Sequence, residues 1–326
     1  MTITRRQLML AGTAPWLSLP LSGWAQNLDL AKILVGFPPG GAIDVAARRF
    51  AEKMRPGYAK AVVVDNRAGA GGQIAASALK TAPADGSVLM LAPMAVFGIY
   101  PFTYKKLPYD PVADFAPVSR AVQFNHGLAV GPAVPASIQT VPEFLAWCRA
   151  NPEQANFGTA GNGTTMHFIG MLLGRAANTP WRHVAYRGSQ PAVQDLIGGQ
   201  LPAVIAPLSE LTSHLASGRC RLLVTMGKSR SRFFPSIPTL VEQGFGELGF
   251  TEWHGFFVPA KTPADTIQSL NATLNTAATQ ADIVQSMDSL SFELAPSSPA
   301  EMAQQVKEDM QRWKKLISST GFTLES

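Results

Sequence analysis

Short uninterrupted apolar runs alternate with stretches whose apolar positions recur every three or four residues, and this alternation continues along most of the chain. The runs at 33–35, 62–64 and 88–91 carry only aliphatic or sulfur-bearing side chains, as expected of strands buried on both faces of a parallel sheet. Between them the spacing predicts helices over 42–54 and 72–81. In the first, Ala42, Val45, Ala46 and Phe50 fall at helical spacing and leave Arg48, Arg49 and Glu52 for the outer side. The order βαβαβ implies an open sheet with helices on both sides.

A stretch punctuated by Pro101, Pro108, Pro111 and Pro117 follows, and the alternation then restarts. It predicts a strand at 127–130 and a helix opened by Thr140-Val141-Pro142-Glu143, with threonine as cap and Glu143 at the third helical position. A strand at 155–157, a helix from about 165, a strand at 183–186 and a helix at 190–198 ending on Gly198-Gly199 come next. Strands near 203–205 and 222–225 complete this half, and 255–258 reads as one more. The last helices, at 263–279, 281–289 and 299–317, bring no further parallel strand and need a sheet to pack on, so they are placed on the first one. The expected division is residues 26–122 with 250–326 as lobe 1, and 123–249 as lobe 2. The chain then crosses between lobes near 119–126 and 248–255, with a cleft between them.

The first 25 residues read as an export signal. Arg5-Arg6-Gln7-Leu8-Met9-Leu10 opens a short basic region, an apolar stretch runs to Leu21, and Gly23-Trp24-Ala25 offers small residues for cleavage after Ala25. The paired arginines resemble a twin-arginine signal; Leu8, where that pattern prefers phenylalanine, keeps the general secretory route open as well. Cleavage removes two of the 27 basic residues and none of the 22 acidic ones, lowering the formal charge from its full-chain value of +5. A balance that modest argues against nucleic acid and suits a protein that handles anions. Cys148 and Cys220 would enter an oxidising compartment, where a disulfide and two buried thiols are both open readings. His126, His167, His183, His214 and His254 form no HExxH or other ligand spacing, so neither metal nor cofactor is expected.

Two segments far apart share one make-up. Phe37-Pro38-Pro39-Gly40-Gly41-Ala42-Ile43-Asp44 and Gly158-Thr159-Ala160-Gly161-Asn162-Gly163-Thr164-Thr165 each follow an apolar run and open a helix. Glycines let backbone approach a ligand closely, and the first helical turn offers unpaired N–H groups at the positive end of the dipole. Two such turns in two lobes suggest a clamp on a small anion.

These turns, with Asp65-Asn66-Arg67-Ala68-Gly69-Ala70-Gly71-Gly72, Leu107-Pro108-Tyr109-Asp110-Pro111, Asp114-Phe115-Ala116-Pro117-Val118, Tyr186-Arg187-Gly188-Ser189 and Ile237-Pro238-Thr239, resemble the markers of the Bug-type (TctC-like) solute-binding proteins of tripartite tricarboxylate transporters. The resemblance covers nearly all of the chain after the signal. It implies a two-lobed α/β flytrap of the type II periplasmic binding protein fold, each lobe a mostly parallel sheet flanked by helices. It further implies a monomer of the Gram-negative periplasm that presents a small organic carboxylate to two membrane subunits. On the matching positions it implies ligand contacts from Gly40, Gly41 and Ala42 in one lobe and from Gly161, Asn162, Gly163, Thr164 and Thr165 in the other. Phe37 and His167 are further candidates, and Asp44 reads chiefly as a helix-dipole and turn-bonding residue.

Two departures from the family bear on the ligand. Ala206 and Pro207 stand where an acidic residue and a small polar one are usual, which removes the obvious partner of an ammonium group. Ala92-Pro93-Met94-Ala95 replaces small hydroxyl-bearing or glycine residues. With Phe37, Phe124, Met94 and Trp253 nearby, the expectation is a cleft suited to an aromatic or otherwise apolar carboxylate.

An exported enzyme is the main rival, but Gly188-Ser189 lacks the GxSxG elbow and no serine or cysteine sits in a motif with a histidine partner. A sensory binding protein that reports its ligand to a membrane kinase is the second. Both delivery and reporting use the liganded lobes as the signal, and neighbouring genes would separate them.

Overall fold

The computed structural model describes residues 28–322; the expected export signal lies outside the described residues. The chain runs β1 (Leu28–Val35), α1 (Ala42–Lys53), β2 (Ala59–Asn66), α2 (Gln73–Lys80), β3 (Val88–Pro93), α3 (Met94–Gly98), α4 (Tyr100–Thr103) and β4 (Phe115–Phe124). It continues through β5 (His126–Val130), α5 (Val141–Ala150), β6 (Asn156–Thr159), α6 (Thr165–Ala176), β7 (Arg182–Ala185), α7 (Ser189–Ile197), β8 (Ala203–Pro207), α8 (Leu208–Ala216) and β9 (Arg221–Thr225). It ends with β10 (Glu252–Pro259), α9 (Ala264–Ala277), α10 (Ala281–Ser289), β11 (Glu293–Leu294) and α11 (Pro299–Ser318).

The strands form two sheets, ordered β11-β4-β10-β3-β1-β2 and β7-β6-β8-β5-β9. Two of the apolar runs became strands buried on both faces: Ile33, Val35, Leu89 and Leu91 have no exposure, and helices cover both sides. The third, 62–64, lies in the edge strand β2, where Val63 is 43% exposed. As expected, most strands of each sheet run in one sense, while β10 and β11 in one and β5 in the other run against them. β1 pairs in parallel with β2 and β3, and β6 with β7 and β8. But β10 runs antiparallel to both β3 and β4, and β5 antiparallel to both β8 and β9. The cause is the crossing itself. The strands that follow each crossing, β5 after β4 and β10 after β9, join their sheets in the opposite sense to the βα units.

α5 carries the expected capping box, Thr140 and Glu143 each bonding the other's backbone N–H. α11 has a second, formed by Ser298 and Glu301. α9 and α11 lie on β4. The last turns of α11 also reach the other half of the molecule. Trp313 meets Phe168 of α6 at 6.2 Å between ring centroids and Phe250 at 5.3 Å, and Arg175 of α6 donates to the Ser319 carbonyl. One continuous apolar cluster therefore joins the two sheets on this side.

Candidate functional site

Strand register places the site. Phe124, the last residue of β4, pairs with Glu252 at the start of β10, and His254 pairs with Pro93 at the end of β3. One residue past Asn125, His126 opens β5 and pairs with Pro207 at the end of β8. Because β1 parallels β3 and β6 parallels β8, the C-terminal ends of these strands converge on the chain crossing from both sides. Ligand sites in open α/β sheets form at such ends, where helices begin.

On the first sheet, β1 leads into the 37–41 turn. Gly40 has φ +85, which an L side chain rarely adopts, and its N–H donates to Asp44 Oδ2 at 2.9 Å. Gly41 is the exposed N-cap of α1 in an extended conformation, and no side chain caps the helix. The first-turn N–H groups of half-buried Ala42 and buried Ile43 therefore stand at the positive end of the dipole without a capping side chain.

Asp44 is buried and fully engaged. It accepts from Arg48 Nε at 2.9 Å, from Arg48 Nη2 at 3.0 Å and from Asn66 Nδ2 at 2.8 Å, as well as from Gly40. Burial pushes its carboxyl up, but Arg48, the Gly40 N–H and Asn66 outweigh this and hold it below the usual carboxylate range. It stays ionised and shapes the turn. Asn66 also donates to the Phe37 carbonyl at 3.1 Å, so the 65–72 motif braces the 37–41 turn. The backbones of Gly36 and Gly72 approach so closely that a Cβ on Gly36 would stand 2.5 Å from Gly72 Cα. The half-buried Phe37 ring lies over Gly72.

On the second sheet, the 160–164 turn is tied internally. Thr159 Oγ1 contacts His183 Nε2 at 2.7 Å and accepts from the Gly161 N–H at 3.3 Å, and Thr164 Oγ1 donates to the Gly161 carbonyl at 2.9 Å. Thr164 caps α6 by accepting from the His167 N–H. Gly163 donates its N–H to His167 Nδ1 at 3.1 Å, so the imidazole holds one of the donors expected for the ligand. Burial pushes His167 down to about 4, leaving it neutral with its hydrogen on Nε2. Its ring is stacked between His183, 4.0 Å away, and Phe168, with Phe322 against its edge. Asn162 is exposed and Gly161 half-buried at the tip.

Thr165 is buried, and its hydroxyl has no hydrogen-bond partner among the described residues. It lies beside Glu252, whose carboxyl meets His126 Nε2 at 3.2 Å across the crossing. Burial pushes Glu252 up to about 8 and His126 down to about 4. At neutral pH the pair is therefore uncharged, with Glu252 carrying the proton.

Several expectations about the cleft wall change. Trp253 is buried with its indole N–H on Asp309 Oδ2 of α11 at 2.7 Å, Phe124 stacks on Phe292 at 4.6 Å, and Met94 has no exposure. Packing takes these side chains into the core, so Phe37 is the most exposed of the four. A carboxyl is present one turn past the apolar Ala206-Pro207 pair: Glu210, half-buried in the first turn of α8, with Ser189 of α7 nearby. Among the described residues no group of three His, Cys, Asp or Glu side chains is arranged to hold a metal ion.

Residues 46–322 match the family model of the tripartite tricarboxylate transporter family receptor, TctC. A protein of Pseudomonas sp. (strain P51), described as a UPF0065 protein in the tcbD-tcbE intergenic region, is 35% identical over 320 residues, spanning 96% of this chain and 94% of that one. The structure of Rhodopseudomonas palustris Rpa4515 with adipate is similar with a TM-score of 0.81 at 26% identity, covering 93% of this chain and 100% of that chain. That of MatC (Rpa3494) from the same organism with bound malate has a TM-score of 0.76 at 27% identity, covering 88% and 98%. With these similarities along its length and its two-lobed α/β fold, the chain belongs to the TctC family of receptors, the Bug-type solute-binding proteins.

Proposed function

We propose that this protein captures a small organic carboxylate between its two lobes in the periplasm and delivers it to the two membrane subunits of a tripartite tricarboxylate transporter. The observation that carries the reading is the convergence of two glycine-rich turns, each opening a helix, on the chain crossing from opposite sheets. The uncapped start of α1 would take one ligand carboxylate on the N–H groups of Gly41, Ala42 and Ile43. Asn162, Thr164 and Thr165 would meet the ligand from the other lobe, with Gly163 kept for His167. Asp44 holds the turn in shape and does not itself contact the anion.

Each lobe then supplies half of the donors, so a bridging ligand stabilises the closed arrangement over the open one. Hydrogen bonds to a charged group contribute roughly 1.5–3 kcal/mol each, so a few give micromolar affinity after ordering costs. The carboxylates in Rpa4515 and MatC, adipate and malate, support this ligand class.

The test is calorimetric titration of the purified protein with aliphatic di- and tricarboxylates, aromatic acids and amino acids. Saturable binding of a carboxylate, lost when Gly41 is replaced by leucine, is the expected result. Absence of binding by every acid, in protein shown to be folded and free of carried-over ligand by mass spectrometry, would overturn it.

A further inference from the structure

We infer that Glu210 sets ligand specificity in the cleft by accepting a hydrogen bond from a hydroxyl or ammonium group that the ligand carries besides its carboxylate. The inference rests on the carboxylate-binding reading above and narrows the ligand to hydroxy- or amino-substituted acids.

The placement comes from the topology. β7, β6 and β8 run parallel, so α6, α7 and α8 all begin at the same edge of the second sheet. That edge is the one at the crossing, since Pro207 pairs with His126 and the Leu208 N–H donates to the Asn125 carbonyl at 3.2 Å. Glu210 is two residues further on, and its neighbour Ser189 is the first residue of α7. The 160–164 turn is held to the same edge by the bond from the Gly188 N–H to the Ala160 carbonyl at 3.1 Å.

The chemistry comes from an unmet acceptor. Glu210 Oε2 is buried and has no hydrogen-bond partner among the described residues. A buried acceptor without a donor is costly, and no side chain among the described residues supplies one to Oε2. Burial also pushes the carboxyl up to about 7, against the nearby Ser189 hydroxyl. A second ligand carboxylate at this place would be repelled, whereas a hydroxyl or ammonium would supply what is lacking. Since the start of α1 takes the carboxylate on the opposite lobe, the substituent and the acid group are read by different lobes.

The experiment titrates wild type, Glu210→Ala and Glu210→Gln with two matched series: succinate, malate and aspartate, and 3-phenylpropionate, 3-phenyllactate and phenylalanine. In wild type, a substituted acid should bind more tightly than its unsubstituted parent by roughly tenfold to a hundredfold, the worth of one hydrogen bond to a charged group. Glu210→Ala should remove that margin by weakening the substituted acid and leaving the parent unchanged. Glu210→Gln, which keeps an acceptor but no charge, should preserve a hydroxyl margin and lose an ammonium margin, so it identifies the donor. Equal binding of parent and substituted acids by wild type, or a margin that survives Glu210→Ala, would overturn the inference while leaving carboxylate binding intact. Binding of no acid in either series would overturn the inference, and failure of the whole panel above would overturn the carboxylate reading with it.

Discussion

His126 Nε2 and Glu252 Oε2 meet at 3.2 Å across the chain crossing, one residue on each sheet and 126 positions apart in sequence. Burial opposes charge on both, and the consequence for stability has a definite sign. Between about pH 6.5 and 8 the folded state keeps a proton on Glu252, raised to about 8, that an ordinary unfolded carboxyl has already released. Stability therefore falls as pH rises through this window, by at most about 1.4 kcal/mol per pH unit. On the acid side the unfolded chain protonates histidines that stay neutral when folded: His126, His167 and His183 at about 4 and His254 at about 3. Those four outweigh the opposing carboxyls, so stability also falls below about pH 6.5. Melting midpoints should peak near there, and Glu252→Gln should flatten most of the alkaline decline. An equally steep decline in that variant would show that Glu252 is ionised at neutral pH.

Gly41 offers a clean test of the anion cradle. Its backbone is extended and a Cβ would meet nothing nearer than the Pro38 carbonyl oxygen at 3.6 Å, so Gly41→Leu introduces no strain. The side chain would stand over the exposed start of α1. Binding should weaken at least tenfold while the melting midpoint stays within a few degrees of wild type. Undiminished affinity would exclude this turn from the site.

Asp44→Ala should destabilise the fold as well as the turn. It leaves Gly40 N–H, Arg48 and Asn66 without their shared acceptor, a loss of about 2–4 kcal/mol for a buried hydrogen-bonded carboxylate. Asp44→Asn retains an acceptor for Gly40 and should cost less. Urea denaturation of the three proteins would rank them, and equal stabilities would refute the bracing role.

Cys148 and Cys220 are both buried and free, and burial pushes their thiols up to about 12 and about 11. Neither should react with a thiol reagent in the native protein, and two equivalents should react once it is unfolded. Fewer than two on unfolding without reductant would reveal a disulfide.

The central strands were legible because aliphatic runs at 33–35 and 88–91 leave few alternatives to a covered sheet, and the run at 62–64 reads as a strand even though it sits at the edge. β4 was not, since Pro117, Ser119, Arg120 and Gln123 interrupt its apolar positions. Its identity as a strand comes from pairing with β10, and register with a segment more than a hundred residues away leaves no local trace. The same divide separates the parts of the candidate site. Glycines that shape a turn announce themselves in composition, as at Gly40 and Gly163. The bond from Gly163 to His167 depends on a ring folding back over its own helix. Glu210 gives no such signal, because the residues at the end of β8 are apolar and the carboxyl sits one turn into the following helix.

α11 adds a third attachment between the halves of the molecule, beside the two crossings of the chain. Trp313 touches both Phe168 on α6 and Phe250 next to the return crossing, so this attachment lies close to the other two. The attachments between the halves thus gather on one side of the molecule, at the crossings and along α11. If the halves move against each other as the proposed clamp requires, that shared side is where they would pivot, and the turns at 37–41 and 160–164 would approach each other in one alignment.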